Sequence, residues 1–193
     1  MNIHKTILSV CTAVLLSATV NIFAQTAPAP KQAVQTLTLS GSSNSAQVTG
    51  DLTNGKKIEL GWAEKSTVAC FPGTRFEMFN GNHVFYRVNM PARSRMTIEL
   101  TPTEGTDINL YALRLAAGST LVPPGIESAT SCEAKYPIYA NKPGGGVVKN
   151  ADDGKRKIEF ISVGAPYTIL IAAAGAKGLS QGEYTLNVSV TGR

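Results

Sequence analysis

The sequence predicts an all-β protein, an antiparallel, jelly-roll-like β-sandwich that carries one long irregular insertion. Three observations support this. From Val34 onward the apolar residues recur with a period of two, the mark of strands with one buried face. Turn signals punctuate the runs at Asn54-Gly55, Asn80-Gly81, Pro91-Ala92, Glu104-Gly105, Asp153-Gly154, Gly164-Ala165-Pro166 and Gln181-Gly182. Beyond the first residues, no stretch holds an apolar stripe of helical period. Short strands without helical crossovers stack as two antiparallel sheets.

The elements follow in order. Residues 1–24 read as a secretory signal peptide: Lys5 and the amino terminus give the positive start, Ile7 to Val20 the apolar run, and Ala24 the small residue at the cut. A membrane anchor needs about 20 predominantly apolar residues. This run is shorter and is broken by Ser9, Thr12, Ser17 and Thr19. A lipoprotein reading through Cys11 fails because the apolar segment continues past it. The expected destination is therefore the periplasm or the medium, with no stable membrane insertion.

Residues 25–33, with Pro28 and Pro30, read as a tether, and residues 34–193 as a single sandwich domain. Ile58, Leu60 and Trp62 alternate with Lys57, Glu59 and Gly61. Val84, Tyr86, Val88 and Met90 alternate with His83, Phe85, Arg87 and Asn89, which places His83 on the solvent face. Met96, Ile98 and Leu100 form the next apolar row. Tyr167, Ile169, Ile171 and Ala173 share a face, as do Tyr184, Leu186, Val188 and Val190. Trp62, Tyr86, Tyr167 and Tyr184 are thereby assigned to the core. Residues 116–146 lack alternation and hold Pro123-Pro124-Gly125, Pro137, Pro143 and Gly144-Gly145-Gly146, so they read as a surface excursion.

Composition excludes several functions. The formal charge is +5, and no basic run exceeds Lys155-Arg156-Lys157, so nucleic acid is not an expected partner. With Cys11 lost to the leader, Cys70 and Cys132 remain. Two cysteines in an oxidising compartment predict a disulfide that pins the excursion to the sandwich. Neither has the neighbours of a zinc site or a redox motif. His83 is the sole histidine outside the leader, and no serine stands in a Gly-x-Ser-x-Gly elbow. Paired carboxylates are the surviving route to catalysis, since they need no fixed spacing.

One stretch carries a family resemblance. A tyrosine-containing strand and a Pro91-Ala92 turn precede Met96-Thr97-Ile98-Glu99-Leu100 and then Thr106-Asp107-Ile108-Asn109-Leu110-Tyr111. Ala165-Pro166-Tyr167-Thr168-Ile169-Leu170-Ile171 and Gly182-Glu183-Tyr184-Thr185-Leu186-Asn187-Val188 follow. Over residues 83–190 this resembles the bacterial pre-peptidase C-terminal domain family, a jelly-roll-like sandwich usually appended to secreted proteases. Asp107, Leu110 and Tyr111 match its Asp-x-Asp-Leu-Tyr segment, with Asn109 in place of the second aspartate. The resemblance implies an accessory module. In that setting Glu104, Asp107 and Asn109 have two readings. They are candidate calcium ligands, or Asp107 accepts backbone N–H groups and fixes the turn. In the second case Asp107→Ala is expected to cost about 1–3 kcal/mol through the buried donors left behind. Calcium prefers six to eight oxygens, several of them carboxylates, so the turn-fixing reading leads and no cofactor is expected.

The functional expectation is an exported, non-catalytic β-sandwich module that recognises a macromolecule or polysaccharide. The alternative is a small secreted hydrolase that uses carboxylates alone.

Overall fold

The apolar alternation resolves into strands that pair as two sheets. The computed structural model describes residues 33–66, 68, 70–126, 128–137 and 153–193; the expected signal peptide and most of the expected tether lie outside them. The strands are β1 (Val34–Thr36), β2 (Ser45–Asp51), β3 (Lys56–Lys57), β4 (Asn82–Met90) and β5 (Ser94–Pro102). They continue with β6 (Ile108–Ala116), β7 (Ser131–Lys135), β8 (Arg156–Ser162), β9 (Tyr167–Gly175) and β10 (Glu183–Gly192). One sheet runs β1-β4-β9-β6-β7, with β3 also on β4, and the other runs β2-β10-β5-β8. The pairings are antiparallel except β1 on β4, which is parallel. Little helix is present: α1 (Gly61–Glu64) and α2 (Phe71–Thr74) are single turns.

The main core lies between the sheets, where the alternation places it. Tyr86, Val88 and Met90 of β4, Ile108 and Leu110 of β6, and Ile169 and Ile171 of β9 line one side. Met96, Ile98 and Leu100 of β5, Phe160 of β8, and Tyr184, Leu186 and Val188 of β10 line the other. Each large apolar side chain buried here contributes about 1.5–3 kcal/mol. Two polar tips enter it as a pair, the Tyr86 and Tyr184 hydroxyls lying 2.8 Å apart. A lone buried hydroxyl would cost about 1–3 kcal/mol, and the pair satisfies both. Gly50 on β2 leaves room for them, since a Cβ there would lie 2.5 Å from both hydroxyls.

A second core covers the opposite face of the six-stranded sheet. Phe85, Tyr111, Leu113, Leu170, Ala172 and Ala174 point outward from it and are buried beneath Ile58, Leu60, Trp62, Cys70, Phe79, Ile126 and Tyr136. This cap corrects three expectations. His83 does not face solvent; it is wholly buried. The strand expected over residues 57–62 is two residues long, and Trp62 lies in α1, packed on Tyr111 at 6.1 Å. The 116–146 excursion is not irregular throughout. Within it β7 pairs with β6, Leu113 opposite Cys132, while residues 138–152 lie outside the described set.

The β9–β10 loop is seated by small residues. Gly81 donates to the Gly175 carbonyl at 2.8 Å, Asn82 N–H donates to Leu179 at 2.9 Å, and Asn80 Oδ1 accepts Gly178 N–H at 2.7 Å. A Cβ on Gly81 would overlap the Leu179 carbonyl oxygen. Gly81→Ala is therefore expected to destabilise by about 1–3 kcal/mol, because backbone rather than a flexible side chain must yield. Urea unfolding measures this, and an unchanged midpoint would show that the loop tolerates the methyl.

Candidate functional site

The residues most able to do chemistry lie beneath the cap. Cys70 and Cys132 are joined as a disulfide with Cα atoms 5.2 Å apart, and both are buried. The bond ties the start of α2 to β7. His83 stacks on Phe85 at 5.9 Å and meets the edge of Tyr111 at 5.8 Å. Its Nδ1 lies 3.0 Å from the Gly81 carbonyl oxygen, to which the Nδ1–H tautomer donates. Burial lowers its pKa to about 4, outweighing the opposing pull of that carbonyl. A base needs reach to its substrate as well as a suitable pKa, and this imidazole has aromatic rings where a substrate would sit.

The carboxylates that stand out move in the direction opposite to a general acid's. Asp51 is held below the usual carboxylate range chiefly by the Thr53 N–H it accepts at 2.7 Å. Glu159 is lowered first by its hydrogen bond and charge contact with Lys157, then by Arg95. A glycosidase acid requires a raised pKa.

The three residues around Asp107 differ in their surroundings. The Asn109 side chain is buried; its Nδ2 donates to the Met78 carbonyl at 2.8 Å and its Oδ1 accepts from Arg156 Nε at 3.1 Å. Both ends of the amide are thus engaged in the protein. Glu104 is exposed in the β5–β6 loop. Among the described residues no group of three or more histidine, cysteine, aspartate or glutamate side chains is placed to hold a metal ion.

Thr106 makes the turn, its N–H and hydroxyl donating to the Thr103 carbonyl at 3.1 and 2.7 Å. The Asp107 carboxylate is 59% exposed and faces Lys177 Nζ at 3.7 Å. Exposed pairs of this kind are worth about 0–1 kcal/mol. Asp107→Ala is accordingly expected to change stability by less than about 1 kcal/mol, below the 1–3 kcal/mol that buried donors would have implied. Thermal melts of the two proteins decide between the readings.

Asp107 instead belongs to a surface depression of about 530 Å³ between the β5–β6 and β9–β10 loops, where Lys177, Ser180 and Gln181 join it. The loop that supplies them is held by backbone: Ala176 N–H donates to the Asp107 carbonyl at 2.9 Å and Leu179 N–H to Ala176 at 2.9 Å. A carboxylate, an ammonium, a hydroxyl and an amide on an open shelf can hydrogen-bond a polar ligand. Sequence reasoning found Asp107 but missed its partners. The available signal was the polar run Lys177-Gly178-Leu179-Ser180-Gln181-Gly182 joining two apolar strands.

No family model and no curated protein matches the chain. Solved structures do match, as a distant likeness of β-sandwich fold. One is a periplasmic inhibitor of g-type lysozyme from Aeromonas hydrophila, 15% identical, with 82% of this chain and 97% of that one covered and a TM-score of 0.39. Another is the pre-peptidase C-terminal domain of a Bacillus anthracis collagenase, at 10% identity, 83% and 97% coverage and a TM-score of 0.36. A third is a surface-associated copper-binding protein of Methylomicrobium album BG8, at 13% identity, 83% and 98% coverage and a TM-score of 0.41.

Proposed function

We propose that the chain is an exported, non-catalytic β-sandwich module that binds a macromolecule or polysaccharide outside the cytoplasm. The observation that carries this reading is the use made of its most reactive side chains. Cys70 and Cys132 are joined to each other, and His83 is buried among rings and held neutral at pH 7. All three serve the second core, so the groups that nucleophilic and general-base chemistry draws on act here as packing. What the module offers to solvent is the polar shelf of Asp107, Lys177, Ser180 and Gln181. Among the described residues, no helix is long and apolar enough to cross a membrane.

The purified mature protein tests the proposal when it is applied to arrays of glycans and secreted proteins, alongside peptide, ester and glycoside substrates. Saturable binding without turnover is expected, weakened by the Asp107→Ala/Lys177→Ala double variant. Turnover that copurifies with the protein and disappears when one carboxylate is replaced would refute it and install the hydrolase.

A further inference from the structure

Arg114 occupies an unusual place in the sandwich. It lies on β6 in the inward-facing row, where most neighbours are apolar, yet it is only half-buried. Its guanidinium carbon stands 5.1 Å from the centre of the Phe160 ring on β8 and 5.1 Å from that of Tyr167 on β9. The cation is thus held by rings from both sheets. Stacking of this kind orients a guanidinium without using its N–H groups.

One of those N–H groups is left over. Arg114 Nε is buried and has no hydrogen-bond partner among the described residues. Directly across the strand pair stands Ser131 of β7, in register with Arg114 and therefore on the same face. Its hydroxyl is also buried and without a partner among the described residues. Two neighbouring donors, one charged and one neutral, both lack an acceptor. An unsatisfied buried donor is costly, and side-by-side orphans are rare in a well-packed sandwich unless something supplies the missing oxygen atoms.

We propose that Arg114 and Ser131 form an anion subsite for a carboxylate, where the edge strands β7 and β8 of the two sheets meet. A carboxylate supplies two acceptor oxygens on one planar group, which suits a guanidinium edge beside a hydroxyl. Charge favours it over phosphate, because one cation balances a monoanion. Arg156 on β8 bonds Asn109, at the opposite end of β6 from Arg114. Ser131 adds a neutral donor that raises no charge mismatch. Phe160 and Tyr167 hold the guanidinium in place and shield it in part, which strengthens the ion contact. The subsite lies towards the far end of β6 from Asp107, so it does not depend on the shelf or on the function proposed for it.

The test is an NMR titration of the whole mature protein at low ionic strength, read at the Arg114 Nε–Hε resonance. Sodium acetate, sodium phosphate and sodium chloride serve as separate probes. Acetate is expected to shift the resonance saturably, chloride only weakly and without saturation. Arg114→Gln should abolish the saturable response, and Ser131→Ala should weaken it several-fold. Arg114→Lys keeps the charge but loses the fork, so binding about tenfold weaker than wild type is expected. A linear, chloride-like response to acetate would overturn the subsite. Tighter binding of phosphate than of acetate would overturn its assignment to a carboxylate. Saturable acetate binding that survives in Arg114→Gln, followed through backbone amides of β6 and β7, would overturn the role of Arg114. Should that variant fail to fold, the wild-type titration and Ser131→Ala decide the matter.

Discussion

Replacing both Cys70 and Cys132 with alanine is expected to lower stability by about 4 kcal/mol, on the order of 10 °C in melting temperature. The bridge closes a loop spanning a sequence separation of 62, which contains α2, β4, β5 and β6. Cutting it restores to the unfolded chain a freedom that the crosslink removes, and in the chain-entropy account the loss grows with loop length. The consequence should be uneven across the molecule. The core between the sheets has its own apolar contacts, whereas the cap is two single-turn helices and irregular chain laid over Tyr111, Phe85 and His83. Amide exchange should therefore rise first over residues 58–80 and in β7, with β5 and β10 protected until global unfolding. A loss below about 1 kcal/mol in urea unfolding would show that apolar packing alone holds the cap.

Acid should unfold the protein through His83. The unfolded imidazole takes up its proton near pH 6.5, the folded one only near pH 4, because the buried site disfavours the cation. Between those values the unfolded state holds more protons, so stability rises with pH across the window. The contribution is complete above about pH 6.5 and is lost as the pH falls towards 4, a total on the order of 3 kcal/mol. His83→Leu should flatten the profile over that range while leaving stability at pH 7 within about 1–2 kcal/mol of wild type. Urea midpoints measured from pH 7 to pH 4 provide the check. An equally steep profile in the variant would assign the acid sensitivity to other groups.

Both expectations arise from a layer that alternation alone conceals. The period-two pattern located the inward faces of β4, β5, β9 and β10 because a half-buried strand shows its burial as apolar every second residue. For β6 and β9 the other row was also informative. Ile169-Leu170-Ile171-Ala172-Ala173-Ala174 is continuously apolar, the pattern of a strand buried on both faces. That run announces a second covering layer over the sheet. In β4 the neighbouring row reads His83, Phe85, Arg87, Asn89, and its polar members disguise the same covering.

The candidate sites divide in the same way. Asp107 was visible as a carboxylate at the start of a strand, and Cys70 with Cys132 as the two cysteines outside the expected leader. The shelf partners Lys177, Ser180 and Gln181 reach Asp107 from a loop some seventy residues later in the chain, a closeness that no local pattern encodes. Arg114 has no neighbour in sequence that marks it out. Its two rings come from β8 and β9, and its serine neighbour from inside the segment expected to be irregular.

The sequence by itself determined the fold class, the inward faces of β4, β5, β9 and β10, and which side chains are scarce enough to matter. These are local properties, carried by side-chain period, turn chemistry and composition, and they are legible without knowing what packs on what. Only the tertiary structure decided that the six-stranded sheet is covered on both faces, that His83 is therefore buried and neutral, and that Asn109 bonds Arg156 and Met78. The physical reason is that burial and charge state belong to the space between elements. A face turned away from one core reads as solvent until another part of the chain is laid upon it.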